Sequence, residues 1–135
     1  MTGDRTGDLP EPPEDVAEPA RVAAIAEEFR VPVLLHFQHE TYNFRIERFH
    51  RILERFPKVN FIGHAQTWWA NIEAKADQRV LYPKTIVTPG GLTDRYLADY
   101  TNVYGDLSAG SGLNALTRDE DHARQPSRWR GDFNA

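Results

Sequence analysis

The sequence predicts an α/β fold built on parallel strands. Two apolar runs carry that prediction, Val31-Pro32-Val33-Leu34-Leu35-His36-Phe37 and Val59-Asn60-Phe61-Ile62-Gly63-His64-Ala65, and each reaches a histidine near its end. Both are apolar at nearly every residue, as in strands covered on both faces. More than ten residues of helical spacing separate them. That length excludes a hairpin and calls for a right-handed parallel crossover.

The elements follow in order. Residues 1–13 are rich in Gly, Pro and acid and are expected to form an irregular lead-in. Asp15 is a cap for a helix to about Arg30, with Val22, Ile25, Ala26 and Phe29 at helical spacing. The first strand covers about 31–37. Asn43 then serves as N-cap for a helix to about Phe56, with the stripe Ile46, Phe49, Leu53 and Phe56, and Pro57 ends it. The second strand covers about 59–65. Thr67 starts a third helix with Trp69, Ile72 and Ala76 on one face. A loop with Pro83, Pro89, Gly90 and Gly91 leads to a short helix capped by Thr93 and ending near Asp99. A third strand, Asn102-Val103-Tyr104-Gly105-Asp106-Leu107-Ser108, precedes a last helix from about Leu113 to Ala123. The domain is therefore expected over 14–124. The polar tail 125–135, with Trp129 and Phe133 isolated in it, is expected to be irregular.

Alternate residues of a strand share a face. Leu34, His36 and Gln38 oppose Val33, Leu35 and Phe37. Ile62, His64 and Gln66 oppose Phe61, Gly63 and Ala65. Tyr104, Asp106 and Ser108 oppose Val103, Gly105 and Leu107. Each strand thus has one apolar face suited to helices. The other face turns polar toward the C-terminal end, the edge where ligands and metals bind in α/β folds.

Neutral imidazoles bind zinc and similar ions, so His36 and His64 on adjacent strands are candidate ligands of one metal. The alternative is two unrelated histidines hydrogen-bonded at strand ends. Asp106 is a candidate ligand or orienting group for a histidine, against a carboxylate bonded to nearby backbone. Gln66 is a supporting group at the same edge. Trp68 and Trp69 read as core packing rather than a pocket lining. His39 reads as exposed or near a substrate, and His50 and His122 as surface residues.

Gly110-Ser111-Gly112-Leu113-Asn114-Ala115 fits a loose dinucleotide pattern, but a flexible turn is the better reading. Ser111 lacks the surroundings of a nucleophile elbow.

Composition narrows the rest. A chain of 135 residues with net charge −4 suits one domain and argues against a nucleic-acid partner. The absence of cysteine removes disulfides and thiolate metal sites. Neither a membrane span nor an apolar leader is evident, and a cytoplasmic location is expected.

The stretches Pro32-Val33-Leu34-Leu35-His36, Phe56-Pro57-Lys58-Val59-Asn60-Phe61-Ile62-Gly63-His64 and Asn102-Val103-Tyr104-Gly105-Asp106-Leu107-Ser108 resemble the metal-dependent amidohydrolase superfamily. The likeness is to its amidohydrolase-related branch, which includes aminocarboxymuconate-semialdehyde decarboxylase. The resemblance implies a (β/α)8 barrel with a divalent metal, zinc first, at its C-terminal face. His36 matches the ligand at the fifth strand. His64 matches the sixth-strand histidine, a ligand or a partner of metal-bound water, and so a catalytic candidate as well. The third run would be the seventh strand. The first-strand His-x-His and the eighth-strand Gly-Ser/Thr-Asp are absent from this chain, and Asp132 in Arg130-Gly131-Asp132-Phe133 has no strand before it. A full barrel needs about 200 residues or more. The expectation is therefore a partial (β/α)8 barrel of about three parallel strands with flanking helices. Its implied function is metal-dependent hydrolysis of a small molecule, weak or inactive in this chain alone, with decarboxylation as a close variant. A non-catalytic fragment, or a subunit completing a barrel as a homo-oligomer, is the rival from another class. A Rossmann-like nucleotide binder is a second rival.

Overall fold

The computed structural model describes residues 14–43 and 45–125. The expected lead-in 1–13 and the tail from 126 onward, with Trp129, Asp132 and Phe133, lie outside the described residues. Strands β1 (Val33–His36), β2 (Phe61–His64) and β3 (Val103–Gly105) form one parallel sheet in the order β1-β2-β3. The helices are α1 (Glu14–Phe29), α2 (Phe49–Arg55), α3 (Gln66–Ala70), α4 (Leu92–Asp99), α5 (Ala109–Thr117) and α6 (Glu120–Ala123). The fold is mixed α/β. A closed barrel is not formed: among the described residues the sheet has three strands, and β1 and β3 are its edges.

Strand parity decides which side is packed. Val33, Leu35, Phe37, Phe61 and Val103 are buried in one cluster with Phe49, Ile52, Leu53, Trp68, Trp69 and Tyr96. Trp68 stacks on Phe37 at 5.7 Å between ring centroids and lies parallel to Tyr96 at 6.5 Å. Phe49 meets Phe37 edge-on at 5.2 Å. Buried aromatics of this size each remove about 150–250 Å² from water, so they dominate the core. The indoles reach the sheet because glycine faces them. A Cβ at Gly63 would run into the Trp68 ring, and one at Gly105 would lie 2.8 Å from Trp69.

The opposite face departs from the expectation of cover on both sides. Leu34 is 59% exposed, Tyr104 is exposed and Ile62 is half-buried. The strands are apolar on both faces, but the described helices lie against only one.

Several local expectations are corrected. Helix α1 buries Ala20, Ala23 and Ala26 and leaves Val22, Ile25 and Phe29 exposed, because the small side chains permit close approach. Asn43 is not an N-cap. It takes a left-handed φ of 46°, which asparagine tolerates, and its side chain donates to the His36 carbonyl at 2.9 Å. The helix instead begins as a tight 3-10 turn, Ile46–Arg48, before α2. The helix after β2 stops at Ala70 rather than running to Ala76. There Asn71 turns its amide back to the Thr67 carbonyl at 2.7 Å and pairs with Gln78, competing with a further turn. Thr93 is buried inside α4 and donates to the Trp68 carbonyl at 2.6 Å, so Gly91 is the cap position. The last helix is two, α5 and α6. Asp119 breaks them with extended backbone and caps α6 by accepting from His122 N at 3.1 Å.

A long-range clamp closes the sheet onto α2. Asn102, just before β3, donates its side-chain amide to the carbonyls of Leu53 and Phe56 at 3.2 and 3.1 Å. The Leu53 carbonyl is one that the helix C-terminus leaves without an internal partner, because Pro57 has no N–H, while the Phe56 carbonyl also accepts from Val59 N at 3.1 Å. No described helix is long and apolar enough to cross a membrane.

Candidate functional site

The C-terminal edge of the sheet brings three of the expected residues together. His36 and His64 are register partners on parallel strands. Their rings meet at 5.4 Å between centroids, tilted by 64°. Asp106 follows β3, and its backbone extends the ladder by donating to Gly63 O at 2.8 Å. Its own carbonyl accepts from the Trp69 indole at 2.8 Å, so a core side chain on the covered face fixes the residue that reaches the open one.

The Asp106 carboxylate lies 2.8 Å from His64 Nδ1. The oxygen sits off the direction in which Nδ1 would donate, so the contact is close but not a well-aimed hydrogen bond. Ser108 also holds the carboxylate, its hydroxyl donating to the same oxygen, Oδ2, at 2.5 Å and its backbone N–H to Oδ1 at 3.1 Å. The Ser108 hydroxyl is the main cause that draws the Asp106 carboxyl below the usual carboxylate range. Partial burial opposes it, and the Ser108 N–H and the His64 imidazole add to it. Asp106 is therefore ionised at neutral pH. A carboxylate against Nδ1 favours the proton there and leaves Nε2 as the basic nitrogen. Ser108 bonds the aspartate and not the imidazole Nε2, so the three side chains do not form a serine-nucleophile triad.

His36 is held differently. Its Nε2 pairs with Gln38 Oε1 at 3.0 Å, and the Tyr42 ring stands edge-on to it at 5.4 Å. A bridge between Gln38 and Tyr42 closes this loop over the strand end. Sequence reasoning did not single out Tyr42; an aromatic six residues past a strand-end histidine has no spacing signature. Gln66 departs from the cluster and donates to the Tyr82 hydroxyl at 3.2 Å.

The chain leaves β2 in strain. Ala65, directly after His64, is buried with φ 84° and ψ −171°, a region other residues rarely occupy. The kink starts α3 at once, and Thr67 N donates to Phe37 O at 3.0 Å.

The other histidines are placed as follows. His39 donates its backbone N–H to Thr67 Oγ1 at 2.7 Å, and its ring lies 3.6 Å from the Glu40 carboxylate. His50 is half-buried on α2 rather than on a fully solvated face. His122 is buried, not on the surface, with Nε2 3.1 Å from the equally buried Asp94 carboxylate, because α6 folds back toward α4. Trp68 and Trp69 are core residues, as expected. Gly110, Ser111 and Gly112 lie in the first turn of α5 rather than in a flexible turn. A Cβ at Gly112 would overlap the Leu107 carbonyl, so this glycine serves helix–strand packing. Ser111 is buried.

Among the described residues no three His, Asp or Glu side chains converge as a metal-ion site. A catalytic zinc takes three protein ligands and one open position. The two imidazoles do not fill that set. The histidine face is open surface. Two cavities lie elsewhere, one of about 540 Å³ beside Arg30, Val31, Lys58 and Asn60, the other of about 420 Å³ beside Arg118. No protein-family model, curated protein or solved structure matches the chain.

Proposed function

We propose that the chain is part of an amidohydrolase-related (β/α)8 barrel and carries two of its metal-facing side chains, His36 and His64. One observation carries the reading: the two histidines are register partners at the C-terminal edge of a parallel sheet, with Asp106 against one of them. In this reading the reaction is hydrolysis of a small-molecule ester or amide, with decarboxylation the nearest variant. A divalent metal, zinc by the nature of the donors, would supply Lewis acidity in the complete enzyme. His64 ligates the metal or, in place of that, acts as general base through Nε2, and Asp106 orients it. Gln66, turned toward Tyr82, is a supporting residue at the rim. With two ligands the chain alone holds zinc weakly and turns over little.

A second reading is favoured by the uncovered sheet face with Leu34 and Tyr104, and by the strand edges of β1 and β3. In it the chain is a non-catalytic piece that associates with itself or with further strands.

Zinc calorimetry with ester and amide hydrolysis, on wild type, His36→Ala and His64→Ala, tests the first reading. Weak zinc uptake that both substitutions abolish, with turnover near background, is expected. Tight one-to-one zinc and robust turnover lost in both variants would overturn the incompleteness of the site. Zinc uptake unchanged in both would overturn the assignment of the histidines. A sizing column run in parallel tests the second reading, and a monomer counts against it.

A further inference from the structure

Helix α1 places its side chains in the reverse of the usual order. Ala20, Ala23 and Ala26 are buried, while Val22, Ile25 and Phe29 face solvent, Ile25 at 58% and Phe29 at 67% exposure. Spacings of three and four residues put these three on one stripe, with the exposed Glu18 at its N-terminal end. Alanines already fill the core side of the helix, so the larger apolar side chains are left for a second surface. Exposed apolar side chains gathered on one strip mark an interaction site, unlike the same residues scattered singly.

The charges beside the stripe decide what fits it. Arg21 and Glu28 are exposed and stand two helical turns apart on one flank, away from the buried alanines. The flank therefore carries one positive and one negative group, in that order along the chain. A second α1 laid antiparallel presents the same pair in reverse order. A two-fold axis beside the middle of the stripe then brings each Arg21 within reach of the partner's Glu28. It also sets each Val22 level with the partner's Ile25, and each Phe29 level with the partner's Glu18. Parallel pairing offers no such match, because there the flank meets the partner's Ala23 and Ala26 side, which is buried in its own core.

We propose that α1 is a homodimer interface: the Val22, Ile25 and Phe29 stripe packs antiparallel on that of a second copy, with two Arg21–Glu28 pairs along one side. An isologous contact of this kind closes at two copies and does not propagate. A single helix pair lies at the small end of interfaces, below about 1,200 Å², so the dimer is a weak, micromolar one. This surface is distinct from the histidine face and from the edges of β1 and β3, and the proposal does not depend on the reading of either.

The test is sedimentation velocity on the full chain from low micromolar to millimolar concentration, with circular dichroism to confirm the folding of each variant. Wild type should pass from monomer to dimer. Ile25→Lys should remain monomeric, since it sets a charge in the middle of the stripe. Arg21→Glu and Glu28→Arg should each weaken the dimer by about tenfold, because two attractive pairs per dimer become repulsive. The double variant Arg21→Glu/Glu28→Arg should regain wild-type affinity, since it exchanges the two charges without changing their match. All three positions are exposed, so the fold is expected to persist in each variant. A wild-type chain that stays monomeric at millimolar concentration would overturn the proposal. So would a dimer that Ile25→Lys leaves intact, which would put the contact on another surface, or single reversals that the double variant fails to rescue.

Discussion

On one face of the sheet Val33, Leu35, Phe61 and Val103 lie buried with Phe49, Trp68 and Trp69; on the other, Leu34 and Tyr104 stay exposed beside His36, His64 and Asp106. The two faces alternate along the same strands, one residue apart. Stability is therefore concentrated on one parity and polar chemistry on the other. The Trp69–Asp106 hydrogen bond is a direct link between them, from an indole on the covered face to the backbone carbonyl of Asp106. The polar face can stay open because the other already holds the fold.

The comparison breaks most readily at Trp68. Trp68→Ala should cost about 3–5 kcal/mol, the usual loss for a buried aromatic, in urea unfolding followed by circular dichroism. A loss under 1 kcal/mol would mean the covered face is not what holds the sheet. Ala65→Gly should act in the opposite direction. Relief of the backbone at φ 84°, less the greater chain entropy of glycine and one lost methyl, should stabilise by about 1 kcal/mol. A lower melting temperature would show that the kink is not strained.

Asp106 sharpens the comparison through pH. Its folded carboxyl titrates below the usual value, with the Ser108 hydroxyl as the main cause. The stability it contributes is thus fully present above the unfolded value, about 3.9, and is lost as pH falls through the lower folded one. Asp106→Asn should be less stable than wild type at pH 6, with the gap closing below about pH 4 in urea midpoints. A gap constant down to about pH 2 would deny the ionised carboxylate its role. The smallest effect belongs to Leu34→Ser, within about 0.5 kcal/mol, as for an exposed residue. A loss comparable to that of Trp68→Ala would show the second face to be covered.

Strand order, parallel pairing and the His36–His64 face were legible because they follow from period-two patterning and crossover length. Side-chain amides and carboxylates that bond backbone were not. Asn43, Asn71 and Asp119 each ended or delayed a helix that apolar spacing alone would continue. Ala26 belongs to the expected stripe, but burial of Ala20 and Ala23 in place of Val22, Ile25 and Phe29 escaped, since hydropathy ranks the larger side chains first. Within the candidate site, Asp106 was visible from parity, whereas Tyr42 depends on a loop path that no periodicity records. The departure of Gln66 toward Tyr82 has the same origin.

The amide of Asn102 has a consequence for how the chain assembles. Helix α2 cannot complete its C-terminus from its own segment, since the residue four beyond Leu53 is Pro57, which has no N–H, and the Leu53 carbonyl waits for a residue 49 positions later. Docking β3 therefore closes a long loop and finishes a helix in one event. That couples two distant segments into one cooperative unit and defers part of the stability of α2 until late in folding. In native-state hydrogen exchange the amides of α2 and β3 should accordingly open together, with the same free energy.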